Sequence, residues 1–371
     1  MTDNDSLQKV YLEITTDCNM SCGMCVRHVW QEASRSMARG TYERLVAGLR
    51  AIPTASTLNF GGFGEPLVHP ECLAFLQQAK AAGLRVELVT NGVLLDPGAA
   101  EALVEMELDR LFVSVDSPGT QQDGTFHDEA SQRVQSNLRE LYRTKLLRRT
   151  RWPEVTFVVV ATRRNVGQLP AVRRLARELG ASRILVTNLV PYTAELESEV
   201  LYGRWTTSCR AGPPSPWNPA FDFPRVDARS EAARIADQLG GHGSDISING
   251  VPISGGSMAC RFAREGRLAI DPAGHVSPCL PLLHAYAYYF RRERRAVLPF
   301  HLGCVDEESL ASIWDSPRYR AFRQRARKFD FSPCIDCGGC DLRETNEDDC
   351  FGSGFPSCGD CLWAAGFIQC P

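Results

Sequence analysis

Tyr11-Leu12-Glu13-Ile14-Thr15-Thr16-Asp17-Cys18-Asn19-Met20-Ser21-Cys22-Gly23-Met24-Cys25 is the stretch that decides how this chain folds. Its first half belongs to a strand candidate, Lys9–Thr16, and three closely spaced cysteines follow at once. Working outward, further strand candidates are Thr57–Gly61, Arg85–Thr90, Arg110–Asp116, Glu154–Thr162 and Arg183–Val190. Most are rich in Val, Leu, Ile and Phe, as strands buried on both faces should be. Helical patterns lie between them. Val134, Leu138, Leu141 and Tyr142 are expected to share one face of a long helix. Leu169, Val172, Leu175, Ala176 and Leu179 do the same in the last one, which Gly180 ends. Six β/α units imply an α/β fold, a parallel sheet or an open, partial (β/α)6 barrel. Chemistry in such folds gathers at the C-terminal ends of the strands. Cys18–Cys25 follows the first strand, Gly61–Pro66 the second and Thr90-Asn91-Gly92 the third, while Ser114 and Asp116 close the fourth.

A chain of 371 residues is long enough for one large α/β domain and a smaller module. Hydrophobic residues at 44% and charged residues at 23% are ordinary for a folded protein. A net charge of −3 gives no overall attraction to nucleic acid or to an anionic membrane. The basic stretches Arg148–Arg151 and Arg291–Arg295 read as solvated faces. No N-terminal segment has the pattern of a secretory signal, and no apolar run approaches the roughly 20 residues that span a bilayer. A cytoplasmic location is therefore expected, where thiols stay reduced. Fifteen cysteines there argue for metal ligation, and their odd number rules out complete pairing within the chain.

The division expected is a barrel over 1–190, a bridge over 191–259 and a cysteine-rich module over 260–371. Pro213–Pro219 and Pro224 mark irregular chain in the bridge, with a helix around Glu231–Leu239. The last module has little apolar core of its own, which suits a unit held together by metal clusters.

A [4Fe–4S] cluster takes thiolates at its iron corners. Three cysteines within eight residues can wrap three corners and leave the fourth iron open. Zinc asks for four ligands and more paired spacing.

The run Cys18-Asn-Met-Ser-Cys22-Gly-Met-Cys25 resembles the CxxxCxxC motif of the radical SAM superfamily, with Met24 where an aromatic residue is frequent. The resemblance implies a [4Fe–4S] cluster on Cys18, Cys22 and Cys25, with S-adenosylmethionine chelated to the open iron. Its reductive cleavage would yield methionine and a 5′-deoxyadenosyl radical. Phe60-Gly61-Gly62-Phe63-Gly64-Glu65-Pro66 is similar to the family's GGEP-type segment, expanded by inserted residues. Gly61, Gly62, Gly64, Glu65 and Pro66 would then bind the cofactor's amino group through exposed backbone. Ser114 and Asp116 match positions that contact its carboxylate and ribose. Asn91 is a turn-former first and a cofactor contact second.

Cys260, Gly274 and Cys279 resemble the opening of a SPASM domain, a module carrying auxiliary iron–sulfur clusters. Leu302-Gly303-Cys304-Val305-Asp306 through Ile313-Trp314 is similar too, with Cys304 a substituted turn residue first and an extra ligand second. The tail adds Cys334, Cys337, Cys340, Cys350, Cys358, Cys361 and Cys370. With Cys260 and Cys279 these give nine thiols, one more than two fully ligated clusters use, so one or two auxiliary clusters are expected. The rival is a zinc ribbon on Cys334-x2-Cys337 and Cys358-x2-Cys361. Cys72 and Cys209 read as inert core or loop thiols, with Cys209 an optional upstream ligand.

Taken with the tail, the start Tyr11–Cys18 and the expanded glycine segment resemble tungsten-cofactor oxidoreductase radical SAM maturases. That resemblance implies hydrogen-atom abstraction, in maturation of a tungsten or molybdenum cofactor or its oxidoreductase. The substrate would be a protein, a peptide or a cofactor, and the electron donor an external ferredoxin or flavodoxin. Alternatives are a maturase of a ribosomal peptide, a sugar dehydrogenase or epimerase, and a non-enzymatic cluster or zinc-ribbon protein. No acid or base is assigned; His28, Glu265 and Asp271 read first as packing or surface residues.

Overall fold

Six apolar runs become parallel neighbours in chain order: β1 (Lys9–Leu12), β2 (Thr57–Phe60), β3 (Arg85–Thr90), β4 (Arg110–Ser114), β5 (Glu154–Ala161) and β6 (Arg183–Asn188). The computed structural model describes residues 5–30, 32–115, 128–202, 221–223, 246–248, 251–252, 258–332, 334 and 340–371. Five helices cover the sheet: α1 (Arg39–Arg50), α2 (Cys72–Ala81), α3 (Pro97–Glu105), α4 (Asp128–Leu147) and α5 (Leu169–Glu178). The start of α3 shows how the sequence sets these boundaries. Asp96 Oδ1 accepts from Ala99 N at 2.8 Å, and Pro97 occupies the first turn. The result is an open, partial (β/α)6 barrel.

The sheet does not end with those six strands. β7 (Phe221–Phe223) and β8 (Ile246–Ile248) extend it in parallel beyond β6, and β9 (Val251–Pro252) turns back antiparallel. On the other side β10 (Arg267–Ile270) lies parallel to β1, followed by β11 (His275–Ser277) in antiparallel pairing. A separate hairpin, β12 (Tyr286–Phe290) and β13 (Glu293–Val297), precedes β14 (Gly303–Cys304) on the edge of β11. Chain after residue 260 thus contributes strands to the barrel's own sheet. The tail does more: Asn188 Nδ2 donates to Phe367 O, Gln369 N to Thr187 Oγ1, and Tyr11 OH to Pro371 O. Residues 367–371 therefore run from β6 to β1.

Expected faces hold with three exceptions. Val134, Leu138 and Leu141 are buried, but Tyr142 is 37% exposed. Its ring lies across Gly180, whose φ of +67° ends the chain turn after α5; a Cβ there would meet the ring at 2.5 Å. Arg295, expected in a solvated stretch, is buried against Asp360. The strands are also not wholly apolar. Lys9 Nζ lies 2.6 Å from Glu87 Oε2, which also accepts from Asn59 Nδ2 at 3.0 Å. A buried charge survives only with such partners. The proline-rich stretch, the helix around 231–239, Asp116, Cys209 and Cys337 lie outside the described residues. Among the described residues no helix is long and apolar enough to cross a membrane.

Candidate active site

β1 ends at Leu12, and the chain turns outward through Glu13–Asp17 into the cysteine loop. Cys25 N donates to Cys22 O at 2.9 Å and His28 N to Cys25 O at 3.2 Å, which bends the loop into a short helical turn, Val26–His28. The glycine segment is laced to the same loop. Glu65 N donates to Asp17 O at 2.7 Å, and Gly61 N to Leu12 O at 3.0 Å. Gly64 has no alternative: a Cβ there would fall 2.1 Å from Thr15 O and 2.7 Å from Asp17 O.

Glu65 is buried, with its carboxylate fully engaged. It accepts from Thr90 Oγ1 at 2.7 Å, Asn91 N at 2.6 Å and Leu67 N at 3.1 Å. Burial pushes its carboxyl up, and those three donors hold part of the shift back. Glu65 thus buttresses the rim, and Pro66 starts the short turn behind it. Asn91 then reaches the cysteines: Nδ2 donates to Asn19 Oδ1 at 2.8 Å and lies 3.7 Å from Cys18 Sγ. Met20, Cys22, Asn91, Ser114, Ser131 and Gln135 line one cavity. The structure therefore brings together the first three strand-end segments and Ser114. His28 is exposed, Glu265 pairs with Arg261 and Arg267, and Asp271 caps the turn before β11 through Ala273 N and His275 N.

A second group forms where the tail folds back. Cys260, Cys279, Cys358, Cys361 and Cys370 line a single cavity beside Phe322 and Trp363. Burial, then the neighbouring sulfurs, drives the Cys279 and Cys358 thiols well above their usual range. Burial pushes Cys361 up to about 12, with Cys260 adding to the shift. Trp363 Nε1 donates to Cys370 Sγ at 3.2 Å, and Ala263 N to Cys260 Sγ at 3.5 Å. Sulfurs that oppose one another's ionisation in an apolar cage fit a metal group that neutralises them. The all-thiol donor set suits an iron–sulfur cluster, whose iron corners take thiolates. Among the described residues, Asp271, His275 and His301 form a separate group whose ligand atoms lie within 4.8 Å of one another.

Cys358 and Cys361 share the cavity of Cys260 and Cys279, and Cys334 Sγ lies 3.8 Å from Ser357 Oγ; Cys337, the remaining member of the expected ribbon, lies outside the described residues. Cys334 sits beside Ser332 Oγ at 3.1 Å, Cys340 starts a short turn, and Cys350 is exposed. Cys304 donates to Ala273 O at 3.6 Å on the edge strand, and Cys72 is buried in the first turn of α2.

Sequence reading missed His284. Its Nε2 lies 2.6 Å from Glu13 Oε2 and its Nδ1 2.8 Å from Glu32 Oε2. Burial pulls the imidazolium down, but Glu13 and Glu32 together outweigh it and raise its pKa. Only an expectation that Glu13, polar within a buried strand end, needs a partner would have pointed there.

Comparison with known proteins adds independent findings. The sequence model of the radical SAM superfamily matches residues 12–176, and that of the SPASM iron–sulfur cluster-binding domain matches 260–341. A tungsten-containing aldehyde ferredoxin oxidoreductase cofactor-modifying protein from Pyrococcus furiosus is 29% identical over 98% of this chain and 97% of its own length. A PqqA peptide cyclase from Gluconobacter oxydans is 30% identical over 91% of this chain and 84% of its own. Two crystal structures share the fold. Streptococcus suis SuiB bound to S-adenosylmethionine superposes with a TM-score of 0.61 at 14% identity, covering 90% of this chain and 71% of that one. The protein anSMEcpe with bound AdoMet gives 0.58 at 16%, covering 97% and 96%.

Proposed function

This chain belongs to the radical SAM superfamily, an enzyme of radical chemistry with a SPASM iron–sulfur domain, and we propose that it matures a tungsten or molybdenum cofactor or the oxidoreductase carrying it. The observation that carries this reading is the near full-length match, on both sides, to the cofactor-modifying protein of Pyrococcus furiosus. When bound, the [4Fe–4S] cluster would supply the electron for reductive cleavage of S-adenosylmethionine, and with it the chemistry of hydrogen-atom abstraction from substrate.

The chain's own residues then have separate tasks. Cys18, Cys22 and Cys25 would hold the cluster, beside the cavity that Cys22 and Asn91 line. Gly61, Gly62 and Gly64 present backbone to the cofactor's amino group; Glu65 and Pro66 fix that backbone. Asn91 orients the Cys18 thiolate, and Ser114 would meet the cofactor from β4; the part given to Asp116, which lies outside the described residues, rests on the family resemblance alone. Four of Cys260, Cys279, Cys358, Cys361 and Cys370 hold one auxiliary cluster. Cys334, Cys337, Cys340 and Cys350 supply the complement of a second. An external ferredoxin or flavodoxin delivers the electron, in the reducing cytoplasm.

A peptide or protein substrate is the second reading, favoured by the PqqA peptide cyclase match. The test is 5′-deoxyadenosine formation by anaerobically reconstituted enzyme. Replacing Cys18, Cys22 and Cys25 with Ala should abolish cleavage while the tail keeps its iron. Retained cleavage refutes the site, and substantial zinc with only about four irons per chain refutes the auxiliary clusters. Deuterium transfer into 5′-deoxyadenosine from labelled pterin cofactor, set against labelled peptide, separates the substrates.

A further inference from the structure

Glu13, His284 and Glu32 form a hydrogen-bonded row from the glycine segment to the surface. Glu13 is 1% exposed; Oε1 accepts from the Phe63 amide, and Oε2 meets His284 Nε2. On the far side of the ring, Glu32 Oε2 meets Nδ1, and Glu32 Oε1 accepts from Ala285 N at 3.0 Å. Both ring nitrogens face carboxylates, so both donate, and the ring is a cation between two anions. Trp30 packs edge-on against it at 4.5 Å and Phe63 at 5.8 Å, which keeps water from the pair.

Gly62 makes this arrangement possible. Its φ is +148°, and a Cβ would fall 2.5 Å from Glu13 Oε1. Loop conformation and carboxylate placement therefore depend on each other. What orients the carboxylate comes from 271 residues away, in the segment that follows Cys279. Leu283, next to His284, packs with Cys260 and Cys279 at the cysteine cage.

We propose that His284 is a positioning residue through which the SPASM domain fixes the Gly62–Phe63 backbone, and so sets the affinity of the rim for S-adenosylmethionine. This rests on the reading of Gly61–Pro66 as the cofactor loop. The row ends on a backbone N–H of that loop, which a salt bridge serving only domain docking would not require.

The test uses full-length protein and the variants His284→Gln, Glu32→Gln and Gly62→Ala. Hydrogen exchange at the Phe63 amide is read without clusters, and S-adenosylmethionine binding by equilibrium dialysis on cluster-loaded protein. His284→Gln should speed Phe63 exchange and weaken binding, each about tenfold, as expected for loss of a charge-assisted bond. Iron per chain and cleavage rate at saturating cofactor should stay within about twofold, since only positioning is lost. Unchanged exchange and affinity overturn the proposal. Should His284→Gln fail to hold iron, Glu32→Gln decides, because its side chain is 40% exposed and tolerates change. A shift in the same direction supports the row, and no shift overturns it. If Gly62→Ala leaves affinity intact, the loop assignment falls, while Phe63 exchange still reports whether His284 holds the backbone.

Discussion

The Gln369 amide donates to Thr187 Oγ1 at 2.9 Å, joining the tail to β6 across 182 residues of sequence. Gln369 Nε2 adds a bond to Val186 O at 3.1 Å. Cys370 thereby enters the five-cysteine cage from the barrel side, and Pro371 goes on to Lys9 and Tyr11 of β1. Barrel and cage share one segment of chain. Gln369→Ala should cost about 1 kcal/mol, the worth of a buried hydrogen bond. Deleting 367–371 should cost several times more and lower iron per chain. Thermal unfolding with iron and sulfide assays measures both.

Gly64→Ala should be far more damaging than its size suggests. The added methyl would meet two carbonyl oxygens, Thr15 O and Asp17 O, neither of which can move without shifting the cysteine loop. Cleavage of S-adenosylmethionine should fall below detection. Glu65→Gln acts on the same rim more gently. An amide NH2 would replace one acceptor oxygen against three donors, costing about 1–3 kcal/mol. Denaturant unfolding of each variant, with 5′-deoxyadenosine assay, separates the two outcomes.

The strands, their order and the rim were legible because local rules govern them. A run such as Arg85–Thr90, largely buried, carries its own pattern, and the CxxxCxxC spacing marks the loop that follows β1. Pairing of distant groups left no such mark. His284 meets Glu13 and Glu32, Arg295 meets Asp360, and Cys358 turns toward Cys260, each by tertiary packing that no sequence period encodes. β10 was hidden for a similar reason: four residues beyond a turn gain strand character only by lying against β1.

Cysteines assigned to no cluster, Cys72 and Cys304, should behave as ordinary side chains. Cys304→Ser and Cys72→Ala should each leave iron per chain unchanged. Cys72→Ala removes a buried sulfur and should cost about 1–2 kcal/mol in stability. Cys361→Ala, inside the cage, should lower iron by up to one cluster. Iron loss in Cys304→Ser would assign that residue as a ligand.

His284 also gives the fold a pH dependence whose sign follows from its raised pKa. The carboxylates facing it are Glu13 and Glu32, and Trp30 and Phe63 complete the packing around the ring. The folded state binds the ring proton more tightly than the unfolded chain, whose value is 6.5. The pair's full contribution is therefore present below about pH 6.5 and lost as pH rises through the folded value. Unfolding free energy of the parent protein should fall relative to His284→Gln between pH 6 and 9, because Gln carries no proton to lose. Denaturant titrations at matched ionic strength measure the difference. A constant gap across that range would mean that the ring loses no proton there, against the raised pKa.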